Sequence, residues 1–385
     1  MNEQPQASAS SGRRRRALRW LVPLGAAGII ALLASGVLSA TATPSLAPQT
    51  AAQLIASIST SSVDGFSGTV VEKASLGLPE LPNVGGSGAT TGITGLLTGS
   101  HTSRIWYGGP SKQRVALLDS FGEQDVFRNA RELWTWNSDQ KTYTHTVLPA
   151  DAGAGAGAGK GMHEPPGTPT ISPDDAALRA LALIEPSTTV TTDHSSVVAG
   201  RAAYTLVLTP KDPATRVGSI RISVDGKTKL PLGVQIYARN ADHAALDVSF
   251  TRIDFSVPGD EYFTFTPPSG ATSAPDSFGG QGAFSLGTGK SSHPDVTTVG
   301  RGWTTVVKIN GVPALLGGAP SPSGKGADDE ETLSGVLGAL PPVTGSWGSG
   351  RLFQSALISA LFTNDGRILI GAVDPAVLYA AAGTR

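Results

Sequence analysis

Residues 219–236 read SIRISVDGKTKLPLGVQI, and their pattern decides the fold class. Ile220, Ile222 and Val224 alternate with Arg221 and Ser223, and after Asp225-Gly226 the apolar positions resume at Leu232, Val234 and Ile236. A period of two puts these aliphatic side chains on one face of a pleated strand. Asp-Gly between two such runs is turn chemistry, so the stretch predicts a β-hairpin with one apolar face. Upstream, Tyr204, Leu206 and Leu208 alternate in the same way, and downstream Leu246, Val248 and Phe250 keep even parity. Ile253 and Phe255 then switch to odd parity, which a β-bulge near Thr251-Arg252 explains. Antiparallel strands of this kind commonly bury one face and wet the other.

The reading extends toward the N-terminus. Ala51, Leu54, Ile55 and Ile58 fall at helical spacing behind Thr50, a candidate N-cap. Strand text begins at Phe66, and a Gly/Thr-rich passage from about Leu76 to Gly99 predicts a loop or flap. Residues 104–107, 113–118, 125–128, 132–136 and 142–148 predict a meander of strands separated by turn residues. An Ala/Gly repeat at 151–161 has no apolar face to bury and reads as a solvated linker. A second helix is marked by Ser172 as cap, Pro173 at its first position, Asp174 and Asp175 at its positive end and Pro186 as its stop. Leu178, Leu181 and Ile184 are expected on its buried face. The fold class is therefore α+β, with a large antiparallel sheet.

Residues 271–295 are rich in Ser, Gly and Pro and read as a flexible linker. A small α+β unit is expected over 296–385: a strand within 296–309, a short helix at 331–340, a hairpin from Leu357 to Val373 around Asn364-Asp365-Gly366, and a final helix begun by Asp374-Pro375.

At the N-terminus, residues 1–20 form a basic tail containing Arg13, Arg14, Arg15, Arg16 and Arg19, followed by an apolar segment at 21–42. Positive charge before such a segment keeps the basic end cytoplasmic, so the rest of the chain works outside the membrane. The segment reads either as a signal peptide, with Ala40-Thr41-Ala42 as a small-x-small cleavage site, or as a single membrane anchor. The expected location is the outer face of the cytoplasmic membrane, or a secreted state. With no cysteine, disulfides, thiolate metal sites and an N-terminal lipidated cysteine are excluded. Net charge is −1 and no basic block lies beyond the N-terminal arginines, so a nucleic-acid partner is not expected.

Motifs for catalysis fail on spacing. The histidines His101, His145, His163, His194, His243 and His293 include no i, i+4 pair of a helical zinc site, and no metal or cofactor is expected. Asp193-His194-Ser195 has the residue types of a triad, but strand neighbours point to opposite faces. Gly289-Lys290-Ser291 resembles a phosphate loop, except that Phe284 stands where its first glycine belongs. The chain is therefore expected not to be an enzyme.

Six phrases occur in one order: VDGFSGTVVEK from Val63, ELWTWNSDQKTY from Glu132, ISPDDAALRALALIEPST from Ile171, VAGRAAYTLVLTP from Val198, VDGKTKLPLGVQIYAR from Val224 and FTRIDFSVPGDEYFTFTPPSGA from Phe250. Together they resemble the bacterial lipoprotein-carrier and sigma-E-regulator superfamily (LolA/RseB-like), over residues 46–270. The resemblance implies a strongly curved antiparallel sheet, an unclosed half-barrel, covered by helices and enclosing apolar space. It implies a lipid acyl chain or lipoprotein as partner, or a membrane-bound regulatory protein such as an anti-sigma factor. The C-terminal unit, the long flap near 76–100 and the linker near 150–162 depart from the shuttle members.

Under that geometry Ile220, Ile222, Val234, Ile236, Val248 and Phe250 are expected to line the concave face, and Trp106, Trp134 and Trp136 the same cavity. The alternative for all nine is an ordinary sheet core.

Overall fold

The period-two runs become strands of two sheets. The computed structural model describes residues 46–77, 98–118, 122–149, 173–274, 295–311 and 337–384. The basic tail, the segment at 21–42, the Ala/Gly repeat and most of the 271–295 stretch lie outside the described residues, as do Ser172 and the motif at 284–291.

The first sheet has twelve strands: β1 Phe66–Ser75, β2 Thr98–Tyr107, β3 Lys112–Leu118, β4 Glu123–Asn129, β5 Glu132–Asn137, β6 Thr142–Val147, β7 Thr188–Val198, β8 Arg201–Pro210, β9 Val217–Asp225, β10 Pro231–Ala238, β11 Ala244–Asp254 and β12 Thr272–Ser273. Their spatial order is β12-β6-β5-β4-β3-β2-β1-β11-β10-β9-β8-β7. Neighbours are antiparallel except β12, which adds in parallel to β6, so the start of the expected linker is a sheet edge. The sheet is unclosed and curved: β7 comes within 8 Å of β11, Cα to Cα, although three strands separate them in the ladder. The bulge is at Thr251, since Thr69 pairs with Arg252 and Val70 with Phe250.

Helix α1 (Ala51–Ser59) is closed by a capping box: Gln53 N donates to Thr50 Oγ1, and Thr50 N donates to Gln53 Oε1. Its Leu54 is fully buried with Tyr204, Leu206 and Val224, and Ile222 packs at their margin. Helix α2 (Pro173–Ile184) lies against α1. Its buried contacts are Ala177 and Leu181, whereas Leu178 is 56 % exposed, against expectation. Close packing on α1 selects the small Ala177 and turns the neighbouring leucine outward.

A cover of helices over the whole sheet is not seen among the described residues. Among the described residues they sit at its β7–β9 end. The reason is local: the helix-facing residues there are Tyr204, Leu206, Leu208 and Val224, large enough to meet a helix. Towards β1 they give way to Glu72 and Gly68.

The second sheet has the order β13-β14-β18-β17-β16-β15, with β13 Asp295–Val299, β14 Val306–Asn310, β15 Pro342–Gly345, β16 Gly348–Gln354, β17 Ser359–Thr363 and β18 Ile368–Gly371. Helix α3 (Pro375–Gly383) packs on it, and Val306, Leu361, Leu369, Val373 and Leu378 are fully buried. Each such aliphatic contributes about 1.5–3 kcal/mol by leaving water.

The sheets touch directly within one compact unit. Thr215 and Val373 form a β-bridge, Thr215 Oγ1 donates to Ala372 O at 2.7 Å, and Ala356 N donates to Leu76 O at 2.6 Å. Arg216 donates to Ser355 O at 3.0 Å and pairs with Asp374 at 3.2 Å, and Trp303 Nε1 donates to Thr188 Oγ1 at 2.7 Å.

Candidate apolar binding face

Register sorts the nine expected cavity residues into two groups. Ile222 pairs with Val234 and Val234 with Val248; Ile220 pairs with Ile236; Phe250 pairs with Val70. Directly paired residues of an antiparallel ladder point the same way. These six aliphatic and aromatic side chains therefore share one face, and Leu206 of β8, opposite Ile222, identifies it as the face under α1.

The tryptophans lie on the other face. Trp106 pairs with Ser67, whose parity on β1 is opposite to that of Val70. Trp106 pairs in turn with Arg114, Arg114 with Phe127, and Phe127 with Trp134; Trp136 follows two residues on. The nine residues thus do not line one cavity, because a single step in β1 parity separates them. No period within β1 or β2 announces that step, since a long segment separates these strands and hides their register.

The tryptophan face has its own cover. The chain after β11 crosses it as a strap. Tyr262 stacks on Trp106 at 5.6 Å between centroids, and Phe265 stacks on Phe127 at 5.0 Å. Phe265 also lies 5.6 Å from Trp134 and 5.8 Å from Trp136. Phe263 is buried against Gly108, where a Cβ would stand 3.0 Å from its ring. The strap then pairs at β12 with the sheet edge. Arg114 lies under it, with Nε donating to Asp125 Oδ1 at 2.8 Å and Nη2 to Glu123 Oε1 at 3.1 Å. Burial pushes the Asp125 carboxyl up to about 6, against the opposing pull of the Arg114 guanidinium.

On the helix face the cover is partial. Ile222 packs beside α1, and Ile220 and Ile236 pack with Leu357 and Trp303 of the C-terminal part. Val234, Val248 and Phe250 lie beside these covered residues and are half-buried, and the row of Ile222, Val234 and Val248 ends at Glu72 of β1. Phe250 rests on Gly68, whose missing side chain leaves room for the ring, and meets Phe66 edge-on at 6.0 Å.

Among the described residues no group of three metal-ligating side chains converges, and no helix is long and apolar enough to cross a membrane. Asp193 and Ser195 do meet, at the register shift in β7: Ser195 Oγ donates to Asp193 at 2.7 Å and its N–H at 2.9 Å. The bulge defeats strict alternation. The serine proton is committed to a carboxylate whose pKa these bonds lower, an arrangement that does not pair the hydroxyl with the imidazole of His194.

No family model matches the chain, and no curated protein matches it. Solved structures similar to it include the MucA/MucB complex of Pseudomonas aeruginosa, at 13 % identity and TM-score 0.38, covering 86 % of this chain and 94 % of that one. A LolA superfamily protein from Nitrosomonas europaea is 12 % identical with TM-score 0.22, covering 57 % of this chain and 99 % of its own. A putative outer membrane lipoprotein-sorting protein domain from Vibrio parahaemolyticus is 9 % identical with TM-score 0.14, covering 49 % and 84 %. The structural neighbours include LolA/RseB-like proteins.

Proposed function

We propose that the chain is a non-enzymatic binding protein, working outside the cytoplasmic membrane, that holds the acyl chain of a lipid or lipoprotein against the helix face of its curved sheet. The observation that carries this is the strip Ile222–Val234–Val248 with Phe250 beside it, covered by α1 at Ile222, flanked by Ile220 and Ile236, and half-buried at Val234, Val248 and Phe250. An acyl chain laid there gains about 0.8 kcal/mol per methylene buried, and a sheet that curves without closing offers a concave wall for it. The resemblance of residues 46–270 to lipoprotein carriers supports the same reading.

The test is native mass spectrometry after mild purification, followed by titration with a fluorescent fatty acid. Bound lipid, or fatty-acid binding that Val248→Asp weakens at least about tenfold with the circular dichroism retained, is expected. A protein that is always ligand-free and ignores the fatty acid overturns the proposal.

A second reading is an envelope-stress regulator that docks on a membrane-bound protein, such as an anti-sigma factor. The second sheet favours it, being fixed to the first by the Thr215–Val373 bridge and the Arg216 bonds; regulator members of the resembled superfamily also carry a smaller C-terminal domain. Pull-down from membranes with residues 46–385 separates the readings. Retention of a single membrane protein without lipid favours the regulator, and retention of lipid alone favours the carrier.

A further inference from the structure

At the end of the sheet where the β7–β8 and β9–β10 hairpins turn, Leu46, Gly200, Arg201, Gly226 and Lys227 line a cleft of about 480 Å³, within the range of small-molecule sites. Leu46 packs on the same cluster as Leu54, Tyr204 and Ile222, so the cleft opens at the α1 end of the helix face. Gly226 lets Leu46 approach closely, since a Cβ there would stand 2.7 Å from the Leu46 side chain, and Gly200 turns the chain with φ +72°.

The charges at the cleft do not cancel. Asp225 is fully buried and its carboxylate is saturated. Arg201 donates to both of its oxygens, at 2.5 and 3.1 Å, and Oδ2 also accepts from Lys227 N, Thr228 N and Thr228 Oγ1 at 3.1, 2.7 and 3.0 Å. Burial alone would raise its pKa; the Arg201 and Thr228 bonds outweigh burial and hold it below the usual carboxylate range. Asp225 is thus a fixed anion already neutralised by Arg201. Two cations remain. Lys229 lies with Nζ 4.2 Å from the Tyr204 ring centroid and donates to Gly226 O at 2.9 Å and Gln49 Oε1 at 3.3 Å. Lys227 is exposed, and its ammonium has no partner among the described residues.

An apolar strip that shares a cluster with a cleft whose lining leaves Lys227 unneutralised matches an amphipathic molecule with a negative head. Resting on the acyl-chain reading above, we propose that this cleft takes the phosphate ester of a phospholipid-type headgroup, with Lys227 as its main contact and the acyl chain running onto the Ile222–Val248 strip.

The test measures binding of short-chain phosphatidylglycerol and phosphatidylcholine, below their micelle concentrations, to the chain from residue 46 and to its Lys227→Gln and Lys227→Glu variants. Lys227 is exposed and its side chain supports nothing in the fold, so both variants fold. The anionic lipid is expected to bind about fivefold tighter than the zwitterionic one to the parent chain. That preference is expected to shrink in Lys227→Gln and to vanish in Lys227→Glu, with phosphatidylcholine, whose choline cation offsets its phosphate, losing less than phosphatidylglycerol in both variants. Inorganic phosphate is expected to compete with both lipids, and more strongly with phosphatidylglycerol. Equal binding of the two lipids, or a preference that survives both variants, overturns the headgroup site and leaves the acyl-chain reading standing. Phosphate binding without any lipid preference assigns the cleft to a free anion and overturns the lipid assignment. Absence of binding by either lipid overturns both proposals.

Discussion

Arg114 and Asp125 form an ion pair whose cation is held between two rings: the guanidinium carbon lies 4.7 Å from the centroid of Trp106 and 4.6 Å from that of Phe127. Those two rings are the ones on which Tyr262 and Phe265 of the strap rest. The pair is therefore the base on which the strap is laid, with Asp125 itself only 3 % exposed.

The pH dependence of stability follows from Asp125. Its folded pKa of about 6 lies above the ordinary 3.8, so between those values the folded chain holds a proton that the unfolded chain has released. The contribution is fully present below about pH 4 and is lost as pH rises through 6, amounting to on the order of 2–3 kcal/mol. Asp125→Asn is expected to flatten the difference in melting temperature between pH 4 and pH 7 relative to the parent. Parallel pH curves for the two proteins contradict the assignment.

The strap prediction concerns Phe265. Truncation to alanine removes its contacts with Phe127, Trp134 and Trp136 and is expected to cost about 2–4 kcal/mol. It also admits water to both indoles, so the tryptophan emission is expected to shift to the red. Unchanged emission and melting would mean that these tryptophans do not depend on the strap for their burial.

What could be read in advance follows the physics of each segment. The hairpin at Asp225-Gly226 and the bulge at Thr251 were legible because local alternation reports them. The split of the tryptophans from the aliphatic strip was not, because it depends on how β1 pairs with β2 across a long intervening segment. Strands β15 and β16 were also missed: Gly345, Gly348 and Gly350 interrupt the apolar period there. Gly350 packs its backbone against the Phe362 carbonyl, where an added Cβ would clash. The cleft beside Leu46 was hidden for another reason. Leu46, Arg201 and Lys227 are far apart in sequence, and Asp225-Gly226 carried only a turn signal.

Ala199 offers a test of backbone strain. It has φ +51° in the turn between β7 and β8, a left-handed conformation that disfavours a residue with a Cβ and no local polar group. Ala199→Gly is expected to relieve about 1 kcal/mol of strain, part of which is offset by the greater freedom of glycine in the unfolded chain. Ala199→Asn keeps that entropy and is expected to raise the melting temperature by a few degrees. A lower melting temperature for both variants would show that the turn is not strained.

Arg216 tests whether the two sheets unfold together. It holds Ser355 O and Asp374 of the C-terminal part from the last residue of the β8–β9 connection, beside the Thr215–Val373 bridge, and it is largely buried. Removing the guanidinium leaves the Ser355 carbonyl without that donor, and charge-assisted bonds of this kind contribute about 1.5–3 kcal/mol. The parent chain is expected to melt in one transition, because the apolar cluster of Leu76, Val217, Ala245 and Leu357 spans both sheets. Arg216→Ala is expected to lower that transition or divide it, with the C-terminal sheet losing hydrogen-exchange protection first, since less apolar contact then secures it. Two separate transitions already present in the parent chain would show that the junction does not couple the sheets, and Arg216→Ala would then shift neither.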